Sequence, residues 1–232
     1  MMTRDATTLT GTRDPASGAL RTTPPFVVLL GTDYAGKSSA LTELADHAPS
    51  WHIVSLDDDF LESGHSLIGR LRRNLVADVL PDLHHGYSLD FMVSLLQTAT
   101  VHLRDSIERS PGGAPVLVDS YYYKILAKCR LAGVDRHPVF DWWRTFPQPH
   151  RVVFLEVSTA TAWQRCGEGA WTNSLEYYGE QPDQTSFEKF QSDLRAAMWE
   201  EVRHLPVTVV EEQEHIARTV QILGEVMDRE IG

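Results

Sequence analysis

The segment Gly31-Thr32-Asp33-Tyr34-Ala35-Gly36-Lys37-Ser38 obeys the spacing Gly-x4-Gly-Lys-Ser/Thr. The chemistry of that spacing is phosphate binding. Backbone N–H groups can curl around phosphate oxygens only where glycines free the chain to take φ > 0. The helix that follows adds partial positive charge at its N-terminus. Lys37 is expected to reach the β- and γ-phosphates of a nucleoside triphosphate, and the Ser38 hydroxyl to bind Mg²⁺. Gly31, Asp33, Tyr34, Ala35, Gly36 and Ser39 complete the expected triphosphate-binding set. In a chain with 15 glycines and only four lysines (Lys37, Lys124, Lys128 and Lys189), a chance match is roughly a one-in-several-hundred event.

Such a loop needs a second carboxylate near the metal, at the end of a neighbouring strand. Val116-Leu117-Val118-Asp119 supplies one. Asp119 also suits the N-cap of a helix beginning near Tyr121, and the two roles can coexist. Another apolar run ends in Ser55-Leu56-Asp57-Asp58-Asp59-Phe60. Ligands of open α/β sheets bind beyond the carboxyl ends of strands, so Asp57 or Asp58 could take a proton from a substrate hydroxyl. Three adjacent Asp also fit a solvated turn. Arginines would hold an anionic acceptor: Arg70, Arg72 and Arg73 share one helix, and Arg165 could clamp the transferred phosphoryl group. Tyr121, Tyr122 and Tyr123 could line a pocket or simply fill the core.

The elements that must position these groups alternate along the chain. Strands are expected at Phe26–Leu30, Trp51–Leu56, Pro115–Asp119, Arg151–Val157 and Pro206–Val210, each a near-continuous apolar run suited to a parallel sheet covered on both faces. Helices are expected at Lys37–His47, Leu67–Leu80, Leu89–Arg109, Tyr122–Leu131, Ala160–Cys166, Phe187–His204 and Glu214–Arg229. Strand and helix in alternation predict a doubly wound α/β domain with five parallel strands. Met1 to Pro25 has no apolar period and reads as a flexible tail before a domain spanning 26–232. The stretch Gly167–Ser186 is long for a loop, and a mobile lid is expected there.

The 232 residues carry 21 Lys plus Arg against 32 Asp plus Glu, a net charge of −11. That balance argues against coating nucleic acid. No run approaches the roughly 18 apolar residues of a membrane helix, and a cytoplasmic location is expected. Cys129 and Cys166 are too few for a disulfide framework and match no metal-ligand spacing.

With these residues in view, the chain from about Phe26 onward resembles the thymidylate kinase family of nucleoside monophosphate kinases. The resemblance lies in Gly31–Ser38 with its acid Asp33, in Ile68-Gly69-Arg70-Leu71-Arg72-Arg73, and in Val116-Leu117-Val118-Asp119-Ser120-Tyr121. It continues through Phe154-Leu155-Glu156-Val157 to Trp163-Gln164-Arg165, and in Phe187-Glu188-Lys189-Phe190. It implies an α/β P-loop kinase core with a lid, ATP as donor, Mg²⁺, and a homodimer through the helices of 67–80 and 89–109. It also implies that Asp33 faces the acceptor sugar and that Arg73 holds its phosphate. Ser120 stands where the family has Arg, Thr100 and Val101 where it has Asp-Arg, and the usual lid arginines are missing before Phe187. The Asp-Asp-Asp-Phe run instead resembles the Asp-Asp-Phe of uridine-kinase-like enzymes, where an acid meets a neutral hydroxyl. The expected function is therefore an ATP- and Mg²⁺-dependent small-molecule kinase, with Lys37, Asp119, Arg165 and Asp58 catalytic and Asp33, Asp57, Arg73 and Tyr121 at the acceptor. Ser38 and Asp119 would hold the metal. The acceptor is a nucleoside monophosphate or a neutral hydroxyl; a nucleotide-binding module without transferase activity is the other reading.

Overall fold

A strand whose six residues are all buried belongs in the middle of a sheet covered on both sides. The strand β1 (Phe26–Gly31) is such a strand. The computed structural model, which describes residues 23–47 and 50–231, sets it at the centre of a five-stranded sheet. Its neighbours are β2 (His52–Val54), β3 (Val116–Asp119), β4 (Arg151–Leu155) and β5 (Val207–Val210), in the order β2-β3-β1-β4-β5. All four pairings are parallel. The register sets Leu29 opposite Asp119 and Gly31 opposite Leu155, which brings the ends of three strands to the start of the phosphate loop.

Eight α-helices among the described residues connect and cover the strands: α1 (Lys37–His47), α2 (Ser66–Asn74), α3 (Leu89–Arg109), α4 (Tyr121–Leu131), α5 (Pro138–Arg144), α6 (Thr159–Arg165), α7 (Gln184–Val202) and α8 (Ile216–Ile231). Period-2 alternation sorts β1 between two cores. Phe26, Val28 and Leu30 join the larger core under α3, α4 and α7, while Val27 and Leu29 join the smaller one with α1 and α8.

All five expected strands form, the second shorter than expected because Trp51, Ser55 and Leu56 lie outside the sheet. Two helical expectations need correction. The segment 67–80 is not one helix: α2 ends at Asn74 and passes through a π-helical turn, Leu75–Val79, into a 3₁₀ turn holding Pro81. Such widened turns recur at functional sites, and this one carries Leu75, Val76 and Leu80 to the wall of the main cleft. The short helix α5 was not expected, because Val-Phe-Asp-Trp-Trp has no clear helical period. Its start is marked nonetheless by Pro138 and by the His137 ring, which accepts from the Val139 N–H (3.2 Å). Of the expected tail, 1–22 lie outside the described residues. Among the described residues no helix is long and apolar enough to cross a membrane.

Candidate active site

The loop after β1 has the backbone its sequence demands. Gly36 sits at φ +90°, a region that disfavours side chains, and a Cβ on Gly31 would meet the Leu155 carbonyl at 2.7 Å. Lys37 opens α1 and is buried. Its Nζ donates to the carbonyls of Gly31 (3.0 Å) and Thr32 (2.8 Å), so the ammonium is held inside the loop. Burial, and then the neighbouring Lys124 ammonium, lower the Lys37 pKa to about 7.

Around the loop opens a cleft of about 770 Å³. It is lined by the loop itself, by Asp57, Arg72, Asp119, Ser120, Tyr121, Lys124 and Lys128, by Arg165, and by residues of the segment before α7 that include Glu176. Oxygen donors cluster on one side. The Ser38 hydroxyl donates to Asp57 Oδ2 (3.1 Å), and the Ser55 and Ser120 hydroxyls donate to Asp119 (3.0 and 2.8 Å). The Ser55 hydroxyl also accepts from the Asp57 N–H (3.1 Å), tying the ends of β2 and β3 together. Ser120 and Tyr121 both take positive φ, 57° and 47°. Two successive non-glycine residues there store roughly 1–3 kcal/mol each, and Ser120 N–H donates to Leu29 O (2.8 Å) to hold the turn. Asp119 is thereby fixed beside the loop.

Among the described residues, no group of three or more His, Cys, Asp or Glu is arranged to hold a metal alone. The hard oxygens of Ser38, Asp57 and Asp119 fit Mg²⁺, which keeps waters and takes phosphate oxygens as ligands.

Two acceptor-side expectations are corrected. Asp58 and Arg73 pair with each other on the outside, both more than half exposed, and neither lines the cleft. Their neighbours take the inward places: Arg72 Nη1 meets Asp57 Oδ1 at 2.5 Å and donates to the Leu56 carbonyl (3.1 Å). Adjacent residues on a helix point about 100° apart, so a shift of one position decides which arginine faces the ligand. Asp33 does not present a free carboxylate to a sugar either. It is buried, with Lys124 and Lys128 Nζ at 2.8 and 3.0 Å and Gln191 Nε2 donating to it at 3.2 Å. Burial alone would raise its pKa, but Lys124 and Lys128 outweigh that and hold the carboxyl well below the usual range.

Lys124, Lys128, Gln191 and Glu176 are the candidate-site residues that sequence reasoning missed; Arg72, one of the three helix arginines considered, is the one that lines the cleft. The signal was available for the lysines: two of the four in the chain, at i and i+4 on the helix directly after Asp119. Tyr121 lines the cleft but is fully buried, its hydroxyl without a partner among the described residues. Arg165 lies against the loop, donating to the Tyr34 carbonyl (3.2 Å) and to Glu212 (3.2 Å). A second groove of about 280 Å³ opens beyond it, between Gly36, Ser39 and the 211–216 segment. The segment before α7 folds onto the loop, where the Tyr34 hydroxyl donates to the Trp171 carbonyl (2.8 Å) and meets Glu176 (3.1 Å).

These features define a P-loop kinase fold of the thymidylate kinase type. No protein-family model and no curated protein sequence matches the chain. Among solved structures it is similar to thymidylate kinase from Candida albicans, at 15% identity and a TM-score of 0.59 over 89% of this chain and 92% of that one. It is also similar to deoxyadenosine kinase from M. mycoides with bound dATP, at 15% identity and a TM-score of 0.54 over 87% of this chain and 98% of the other. At such identity the likeness is one of fold.

Proposed function

We propose that the protein is an ATP-dependent kinase that phosphorylates a hydroxyl group, with Asp57 as the base. The observation that carries this reading is the placement of Asp57. It stands at the end of β2, inside the cleft and within hydrogen-bond reach of Ser38, while Arg73, the arginine expected to grip an acceptor phosphate, lies outside. A phosphate acceptor is already anionic and needs no base; a hydroxyl does.

The triphosphate of ATP occupies the loop, with Lys37 and the backbone N–H groups of 31–38 holding its β- and γ-phosphates and the adenosine in the groove beyond Arg165. Ser38 and Asp119 would hold Mg²⁺, which would supply charge neutralisation on the phosphates. The acceptor hydroxyl approaches from the Asp57 side. Its oxygen bonds to the γ-phosphorus as the bridging oxygen leaves with ADP, and its proton passes to Asp57. Asp57 can accept it because each carboxylate oxygen keeps a lone pair beyond those given to Arg72 and Ser38. Arg165 neutralises charge on the transferred group, which matters most in a loose transition state. A lid closing over 167–183 keeps water out. A homodimer through α2 and α3, where Leu67 and Phe91 stand exposed, belongs to the same reading.

A nucleoside monophosphate acceptor is the second reading, favoured by the three cations Arg72, Lys124 and Lys128 in the cleft. Each is already paired with Asp57, Asp33 or Glu176. The two readings separate by mutation. Asp57→Asn should lower kcat by about 10²–10⁴-fold with the KM for ATP little changed, and Arg73→Ala should leave both near wild type. The reverse pattern in steady-state kinetics would sink the hydroxyl assignment.

A further inference from the structure

Away from the cleft, a smaller pocket of about 190 Å³ opens at the β2 edge of the sheet. Three elements meet there. The helix α3 presents His102, Ser106 and Arg109 to it at i, i+4 and i+7, one face of a helix. His65, just before α2, and His52 of the edge strand close the other sides. None of these side chains lines the main cleft. The His65 and His102 rings stand edge to face with centroids 4.8 Å apart. The neighbouring carboxylates do little to balance this donor-rich set. Glu62 lies 3.7 Å from His65 Nδ1 and is three-quarters exposed, and Asp105 lies 3.9 Å from Arg109. Both separations exceed hydrogen-bond distance. Asp105 Oδ1 is instead held by Arg104, at 2.9 and 2.6 Å.

We propose that this pocket binds a phosphate-type oxyanion, free or at the end of a phosphomonoester, between Arg109, Ser106 and the His65–His102 pair. Guanidinium, hydroxyl and imidazole groups converge here as donors, and an oxyanion offers only acceptors. Like-charge repulsion from the Arg109 guanidinium disfavours a metal cation in the same place. Burial, then His65 and then Arg109, hold the His102 pKa below its ordinary value, with Asp105 and Glu62 opposing them more weakly. An anion among these groups reverses that balance: His102 takes up a proton, and both its ring nitrogens become donors. Binding therefore tightens as pH falls through the histidine range. Ser55 also lines the pocket, and its hydroxyl donates to Asp119, so the oxyanion lies next to a contact of the active site without entering it.

The test uses the full chain with ¹³C-labelled histidine, with sodium chloride exchanged for sodium sulfate at constant ionic strength. Sulfate is the first probe because its charge is constant across the histidine range, so any pH dependence belongs to the protein. The expected result is saturable shifts of the His65 and His102 Cε1–H resonances, assigned by the variants His65→Asn and His102→Asn. The dissociation constant should be about tenfold lower at about pH 6 than at about pH 8. Arg109→Gln should raise it about tenfold or more; if that variant fails to fold, the wild-type pH series decides alone. With MgATP filling the phosphate loop, the same shifts should persist. Glycerol 3-phosphate and inorganic phosphate then separate the sources: tighter binding of the former assigns the pocket to a phosphomonoester, and equal or weaker binding to the free ion. Shifts that stay linear in sulfate, a dissociation constant unmoved by pH or by Arg109→Gln, or shifts that vanish under MgATP would overturn the proposal.

Discussion

Asp33 shows how much a single side chain can organise. Its carboxylate is shared by Lys124 and Lys128, while Gln191 joins it to α7, so one buried acid ties the phosphate loop to two helices. Removing one partner of such a buried network leaves charges uncompensated and costs about 3–5 kcal/mol. Asp33→Asn should therefore unfold at markedly lower denaturant concentration than the wild type. The pH dependence has a definite sign. The folded-state pKa of Asp33 is depressed, so its contribution is fully present above the unfolded value near 3.8 and is lost as pH falls towards the folded one. Denaturant melts below pH 4 should show a steeper loss of stability in the wild type than in Asp33→Asn; equal slopes would remove Asp33 from the account. The phosphate loop itself was legible in the sequence because its spacing is dictated by backbone chemistry. The partners of Asp33 left only a faint trace, the i and i+4 spacing of Lys124 and Lys128, because tertiary packing decides that both turn inward.

Elements were legible to the extent that their signal is periodic. Both β1 and β4 read as apolar runs and formed within two residues of expectation, and α1 and α3 formed over the expected residues. The break in 67–80 was invisible because the hydrophobic period continues through it; only tertiary packing against the cleft decides that the turn widens. That same packing brought Arg72 rather than Arg73, and Asp57 rather than Asp58, to the site. At this scale the lid is the element to test. Gln191 on α7 accepts from the Asp33 N–H (3.0 Å) and donates to the Glu176 carbonyl (3.1 Å), joining loop, lid and helix. Gln191→Ala should speed amide hydrogen exchange across 167–183 while the strands stay protected, and MgATP should slow that exchange in the wild type. Unaltered exchange in the variant would mean that the lid is held by its apolar contacts alone.

The whole molecule is acidic, with a net charge of −11, yet the ligand proposed for its cleft is a triphosphate. Global charge sets long-range steering, whereas binding is local. Three of the four lysines converge on the phosphate loop and Asp33, and backbone N–H groups add the rest. The acidic balance also has a local expression: Asp33, Asp57 and Glu176 pair off the cations on the acceptor side, leaving little free positive charge for a second phosphate. The central claim is thus that the γ-phosphoryl group goes to a hydroxyl and not to a phosphate. A single ³¹P NMR competition tests it, with MgATP, cytidine and thymidine monophosphate present together at equal concentration. The account predicts a phosphomonoester resonance growing in step with ADP. A new diphosphate from the monophosphate, or ADP with inorganic phosphate alone, would contradict it.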